Sequence, residues 1–293
     1  MDATQVVADS TPSDQPAAPS GLRRAFSAVS GVSPGLAAWA AERLWFTPPR
    51  PPIAKEARKV LARGTPFPLE IDGRKVAAWS FGAGRPVALM HGWGGYAGQL
   101  SPFVDPLVAA GFQVIAFDAL AHGASPASRT GVRLSTFFDF ANGLVALQKK
   151  VGPLHAVIAH SGGAIATGIA LRAKLEVEKL VLLAPMTRPQ QYATLFSQAL
   201  GLDARVSEQW QARALNRIGL TWDELDVTGP QTPRKPTLVV HSRDDKEVPF
   251  ADGEALVASW PGATLVPVEK LGHRRILRDA EVVKRSVEFL ASA

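Results

Sequence analysis

Three side chains suited to nucleophilic catalysis follow short apolar runs in the order serine, aspartate, histidine. The serine is Ser161, in Ala159-His160-Ser161-Gly162-Gly163. The apolar run before it, residues 156–159, has the length and branching of a buried strand. A small-residue helical pattern follows over residues 164–174. A serine on so tight a strand-to-helix turn sits in strained backbone geometry that only small neighbours tolerate. The positions two before and two after it are Ala159 and Gly163. The turn aims the hydroxyl above the helix N-terminus, where the Gly162 N–H and the positive helix end meet a developing oxyanion. The pattern is Gly-x-Ser-x-Gly with its first glycine replaced by alanine. Alone, it fits equally a serine capping an ordinary helix.

Three more segments fall just past expected strands. His91-Gly92-Trp93-Gly94-Gly95 follows a strand at 86–91, and the Trp93 N–H is a candidate second oxyanion donor. The alternative is a tight connecting turn. Neither Gly-x-Gly-x-x-Gly nor a P-loop lysine is present, which disfavours a phosphate loop. His241-Ser-Arg-Asp-Asp-Lys-Glu-Val-Pro249 follows a strand at 237–241. An acid there holds and orients an imidazole; Asp245 is the first choice, with Asp244 as the alternative and solvated turn formers as the bland reading. Gly272-His273 lies in a loop after a strand at 263–268, free to reach the same sheet edge. His91, His122, His160 and His241 adjoin strand ends and are read as loop supports, and His155 as a surface or strand-edge residue. No histidine pair has helix spacing with an acidic partner, so neither a metal site nor a cofactor is expected.

The elements that must position these groups alternate. An Asp72-Gly73 hairpin opens the series. Strands at 86–91, 112–118, 154–160 and 179–184 then alternate with helices at 99–110, 134–151 and 164–174. Residues 186–232 carry helical patterns only, with a capping box at Thr221-Trp-Asp-Glu224. Alternation resumes with a strand at 237–241, a helix near 252–260, the strand at 263–268 and a last helix at 281–290. Repeated βα units give an α/β fold, a mostly parallel twisted sheet flanked by helices. The helical interruption is expected as a cap over the strand C-terminal ends, where such folds bind ligands.

The chain has 293 residues, 46% of them hydrophobic, enough for one large domain core. Residues 1–20 read as a disordered tail and 21–66 as an N-terminal helical extension, leaving 67–293 for the main domain with its cap at 186–232. In the extension, Trp39, Leu44, Trp45 and Phe46 read as packing residues of an amphipathic helix, and residues 47–52 as a stiff proline-rich connector. Arg23-Arg24 allows a twin-arginine export signal as the alternative to a cytoplasmic protein. The net charge of +6 is scattered along the chain with no nucleic-acid motif, so a nucleic-acid partner is not expected. There is no cysteine, which removes disulfides and thiolate metal sites. No apolar run reaches the roughly 18 residues of a membrane span.

Taken together, His91-Gly92-x-Gly94-Gly95, the 118–125 loop, Ala159-His160-Ser161-Gly162-Gly163, Asp245-x-x-Val248-Pro249 and Gly272-His273 resemble the α/β-hydrolase superfamily over residues 67–293. The likeness is to its uncharacterised bacterial, carboxylesterase-like branch. Ala121 stands where that superfamily usually has glycine. The resemblance implies Ser161 as nucleophile, His273 as general base and then acid, Asp245 as the orienting acid, and Trp93 and Gly162 as oxyanion donors. It implies a small-molecule ester substrate, with Leu195, Phe196, Leu200, Trp210, Leu215 and Ile218 of the cap facing an apolar group or holding the cap to the core. Arg243, Lys246, Arg274 and Arg275 flank the acid and base loops and would favour an anionic substrate unless they are solvated rim charges. Other readings remain open: an acyltransferase, or a binding or scaffold protein on the same fold.

Overall fold

The computed structural model describes residues 18–292, so the expected tail at 1–20 lies outside the described residues save its last three positions. The strands are β1 (Thr65–Pro66), β2 (Leu69–Ile71), β3 (Arg74–Val76), β4 (Ala78–Phe81), β5 (Arg85–Met90), β6 (Phe112–Phe117), β7 (Leu154–His160), β8 (Val177–Leu183), β9 (Thr237–Ser242) and β10 (Ala263–Val268). Eight of them form one sheet in the order β1-β4-β6-β5-β7-β8-β9-β10. Pairing is parallel from β6 through β10 and antiparallel at β1–β4 and β4–β6. Strands β2 and β3 form the expected hairpin, with Asp72 (φ 51°) and Gly73 (φ 75°) at its turn.

Before the sheet come α1 (Ser20–Val32), α2 (Pro34–Trp45) and α3 (Lys55–Leu61). The extension thus has two helices where one was expected through Trp45. Ser33, at φ −150° and ψ 93°, sits before Pro34 and is barred from helical geometry. Its hydroxyl then caps α2 by accepting from the Leu36 N–H. Trp39 and Leu44 are exposed rather than packed. The expected helix at 99–110 is instead a 3-10 segment, Ala97–Phe103, running into α4 (Val104–Ala109). Pro102 and Pro106 each remove an amide from that stretch, which prevents a continuous α ladder.

The crossover helices are α5 (Phe137–Val151) and α6 (Gly163–Arg172). Between β8 and β9 lie only helices: α7 (Pro189–Leu200), α8 (Ala204–Ile218) and the single turn α9 (Trp222–Leu225), whose Thr221–Glu224 capping box forms. The chain closes with α10 (Phe250–Ser259), α11 (Gly272–Arg275) and α12 (Ala280–Ala291).

Alternate residues of the central strands feed two cores. Ala88, Met90, Val157, Ala159, Leu180 and Leu182 face α5 and α6. Val87, Leu89, Ala156, Ile158, Val181 and Leu183 face the 3-10 segment, α4 and α12. Because β7 lies between β5 and β8, all seven of its residues are buried. His155 is therefore an interior residue, not a surface or edge one: its ring bridges Glu178 Oε2 (2.8 Å) and the Leu290 carbonyl (2.9 Å). A third cluster joins the extension to the helical insertion, with Phe26, Ala37, Ala41 and Phe46 against Ala193, Leu200, Val206 and Trp210. Burying each large side chain there contributes about 2 kcal/mol. Glu42 reinforces the joint: it is buried, and its carboxylate accepts from Arg213 Nε (3.0 Å) and Arg217 Nε (2.6 Å) of α8. Among the described residues, no helix is long and apolar enough to cross a membrane.

Candidate active site

Ser161 follows β7 directly and adopts φ 53°, in the left-handed region that a residue with a Cβ enters at a cost of about 1–2 kcal/mol. Its backbone is pinned: the N–H donates to the Leu183 carbonyl (3.0 Å), and the carbonyl accepts from Ala164 N (3.0 Å) and Met186 N (3.2 Å). Space around it is equally constrained. A Cβ on Gly92 would lie 2.9 Å from Ser161 Cβ, and one on Gly163 would lie 2.9 Å from the His91 carbonyl oxygen. Glycine is required at both positions for the two loops to approach.

The loop after β5 is held by two buried histidines. His91 Nδ1 donates to the Gly92 carbonyl (2.8 Å), and its Nε2 accepts from the Ala119 N–H (3.0 Å). His122 Nδ1 donates to the Leu120 carbonyl (3.0 Å), and its Nε2 accepts from the Gly94 N–H (3.1 Å). Carbonyls only accept and amides only donate, so these partners fix both rings as neutral Nδ1–H tautomers. Burial lowers the pKa of both, that of His122 to about 3 with the neighbouring His91 adding to the effect. The Gly95 N–H is turned inward to the Gly92 carbonyl (3.0 Å). Trp93 lies between these fixed peptides, its ring edge-on to His122 and Phe137.

The loops after β9 and β10 meet at His273, whose Nδ1 lies 2.8 Å from Asp245 Oδ2. The other Asp245 oxygen accepts from Glu247 N (2.8 Å) and Val248 N (2.9 Å). Burial opposes ionisation of Asp245, but hydrogen bonds from His241 and His273, the His273 charge and the Val248 amide together outweigh it and hold the carboxyl well below the usual range. Asp244 turns elsewhere. It accepts from the Ser242 hydroxyl and from the Gly272 N–H (3.3 Å), fastening the histidine loop instead of orienting the ring.

Ser161 and His273 line one cavity of about 670 Å3 together with Gly92, Trp93 and His160. The Ser161 hydroxyl makes no hydrogen bond to the imidazole in this state. Such bonds are often long without substrate and tighten when it binds. The structure thus brings Ser161, His273, Asp245, Trp93 and Gly162 to one end of the sheet, and separates Asp244 from the ring. Among the described residues no cluster of His, Asp and Glu is arranged to hold a metal ion. Leu195 and Phe196 reach the cavity, whereas Leu200 and Trp210 are core residues of the insertion. The rim arginines are engaged: Arg274 pairs with Glu247 (2.9 Å), Arg243 covers the Phe250 ring, and Arg275 caps the Leu271 and Lys270 carbonyls.

Two supports were not assigned in the sequence beyond a general role at strand ends. His160 Nε2 donates to the His273 carbonyl (2.9 Å), and His241 Nε2 lies 3.5 Å from Asp245 Oδ2. Burial, then the neighbouring His273, lowers the His160 pKa to about 3. The available signal was position: each is a histidine at a strand end, within a few residues of Ser161 or Asp245. Also missed was the wall formed by Trp45, Phe46, Pro49, Pro51 and Pro52, which the sequence presented as helix end and connector.

Known proteins share this arrangement of chain. RutD of Variovorax paradoxus (strain S110) is 27% identical over 251 residues, covering 71% of this chain and 92% of that protein. The 2-hydroxy-6-oxononadienedioate/2-hydroxy-6-oxononatrienedioate hydrolase of Comamonas testosteroni is 27% identical over 263 residues, covering 72% and 89%. Among solved structures, Est1E of Butyrivibrio proteoclasticus, determined with ferulic acid bound, superposes with a TM-score of 0.59 at 17% identity, over 76% of this chain and 99% of its own. The family Hydrolase_4, described as serine aminopeptidase, S33, matches residues 84–231, just over half of the sequence. The chain therefore belongs to that hydrolase family and carries the α/β-hydrolase fold.

Proposed function

We propose that this hydrolase cleaves carboxylic esters through an acyl-enzyme formed on Ser161. The observation that carries the reading is the Asp245–His273 pair at 2.8 Å opening into the same cavity as a serine at φ 53°. Ser161 Oγ attacks the acyl carbonyl while His273 Nε2 takes its proton. The tetrahedral oxyanion is met by the Trp93 and Gly162 amides, a contribution of about 2.7–4 kcal/mol per donor in comparable sites. Collapse breaks the ester C–O bond, and the leaving alkoxide takes the proton from His273. Water then attacks the acyl-enzyme with the same base, and Ser161 leaves with the returned proton. Asp245 stays ionised throughout and holds the ring in its Nδ1–H tautomer. The insertion at 186–232 acts as a cap on this site, since α7 supplies part of its wall. We read the protein as cytoplasmic; what supports this over export is that Arg23 and Arg24 lie inside α1, whose Phe26 is buried in the third cluster.

The test is labelling by a fluorophosphonate probe in wild type and Ser161→Ala, followed by turnover of p-nitrophenyl esters. Labelling and ester turnover lost together in Ser161→Ala support the proposal. Labelling that persists in the variant removes Ser161 as nucleophile. A 2-hydroxy-6-oxodienoate, the substrate type named for the Comamonas relative, belongs in the same assay. Turnover of that compound with no turnover of any ester would replace the ester reading.

A further inference from the structure

Part of the cavity wall comes from outside the family match. Trp45, Phe46, Pro49, Pro51 and Pro52 line the same cavity as Ser161 and His273, whereas the match begins at residue 84. This stretch is built into the site. The Phe46 carbonyl accepts from Ser135 N (2.9 Å), Arg50 Nε donates to the Ala121 carbonyl (2.9 Å), and the Ala54 N–H donates to the Tyr96 hydroxyl (3.0 Å). Pro49 packs directly on the oxyanion loop, since a Cβ on Gly94 would come within 2.5 Å of it. Beside this stretch, the Phe196 ring of α7 packs edge-on against Trp45, with centroids 5.2 Å apart. The wall is therefore aromatic and prolyl, and its prolines carry no backbone N–H to offer a ligand. Such a surface contributes by excluding water and gains with each carbon it covers.

We infer that the N-terminal extension forms the apolar subsite for substrate, and that the site selects esters carrying a medium-chain or aryl group over acetate-sized ones. The inference rests on the ester-hydrolase reading above and adds to it the substrate class and the residues that set it. Each methylene covered by this wall favours the longer substrate about fourfold, until the cavity is filled. Proline rigidity matters here: residues 48, 49, 51 and 52 are all prolines, so the wall is preformed and little ordering accompanies binding.

Two variants test it from opposite sides. Trp45→Ala removes wall, and Pro51→Trp fills the cavity from an exposed position that carries no core packing. The readout is kcat/KM across graded p-nitrophenyl acyl esters and graded alkyl acetates, with melting temperature as the check on folding. In both variants the preference for long over acetate-sized substrate is expected to fall at least about tenfold, through the KM of the long substrate. A merely structural role would lower all substrates together. Equal loss across both series, or an unchanged preference in Pro51→Trp, would overturn the inference. Binding is read apart from turnover by calorimetric titration of Ser161→Ala with graded alkyl methyl ketones. If the wild type hydrolyses no ester but ketone affinity still rises with chain length and Trp45→Ala abolishes that rise, the hydrolase reading fails and the subsite stands. If affinity is flat with chain length, the subsite fails whatever the turnover.

Discussion

The buried histidines make this protein acid-sensitive over a window that can be worked out. His122 and His160 have folded pKa values lowered to about 3, chiefly by burial, against about 6.5 for an unfolded histidine. A group in this position takes up a proton in the unfolded chain before it does in the native one. Stability is therefore full above about pH 6.5 and falls as pH drops towards 3, where the native rings also protonate. At about 1.4 kcal/mol per pKa unit, each ring removes about 2 kcal/mol between about pH 7.5 and pH 5. The pair removes about 4 kcal/mol, a large share of the roughly 5–15 kcal/mol of a typical domain. His91 is lowered too and adds in the same direction. Asp118 and Asp139 oppose it: burial raises their pKa values, so the folded state gains protons first and the strain of burying them eases on acidification. Asp245, held low, stays ionised in the fold, and an unfolded aspartate is still mostly ionised at about pH 5, so it changes little in this window.

The assay is urea unfolding of wild type, His122→Gln and His160→Gln at the two pH values. Each variant is less stable overall, because it disturbs a hydrogen bond to Gly94 N or to the His273 carbonyl. What is read is the pH dependence. Wild type should lose about 4 kcal/mol and each variant about 2 kcal/mol less than that. A pH dependence unchanged by either substitution would refute the placement of neutral rings at these sites.

Two further outcomes follow from the geometry. Asp245→Asn keeps an acceptor for the Val248 amide but no longer fixes the His273 tautomer; kcat should fall by about 10⁴ with a near-native melting temperature, as for the equivalent loss in other triads. Glu42→Ala leaves Arg213 and Arg217 without their shared partner; because both arginines keep partial solvent contact, the expected loss is about 2 kcal/mol in urea unfolding, below that of a fully buried pair.

The strand-to-helix turn at Ser161 was legible because its constraints are local. Strand length, small neighbours and the following helix all lie within fifteen residues of Ser161. The choice between Asp244 and Asp245 was not, since adjacent acids differ only in which way the turn after Ser242 throws them. The register of that turn sends Asp245 to His273 and Asp244 back to Ser242. His155 was misread for a topological reason: only the strand order shows that β7 is central and covered on both faces. Trp39 and Leu44 went the other way, because α2 buries a face of Ala37, Ala38 and Ala41 against α8, leaving the larger side chains outside. The wall made by Trp45 and the prolines depends on contacts more than forty residues away in sequence, and no local pattern encodes it.

The parts of this site differ in how firmly they are held, and the difference follows from what each is attached to. His160, next to Ser161, holds the His273 carbonyl, and Ser242 at the end of β9 accepts from the Gly272 N–H (3.1 Å). Strands β7 and β9 thus fix both the serine turn and the histidine loop. A left-handed serine persists only where the surroundings leave it no alternative, and these cross-links supply that condition. The opposite wall is attached differently. Helices α2 and α7 meet in the third cluster, and α8 is tied to α2 through Glu42, away from the sheet. This wall is tied to the rest of the chain at Asp252 of α10, which accepts from Thr187 N, Arg188, Gln191 and Tyr192 at the head of α7. It is tied also by the connector, through Pro49 against Gly94, Arg50 on the Ala121 carbonyl and the Ala54 N–H on the Tyr96 hydroxyl. Substitutions at Trp45 or Phe196 therefore reshape the cavity away from the loop after β5, whereas a change at Pro49 reaches Gly94 and a change at His160 or Ser242 reaches the His273 loop directly. Side chains packed in the third cluster can thus vary with less effect on Ser161 and His273 than the connector at 49–54, which is fastened to the loops after β5 and β6.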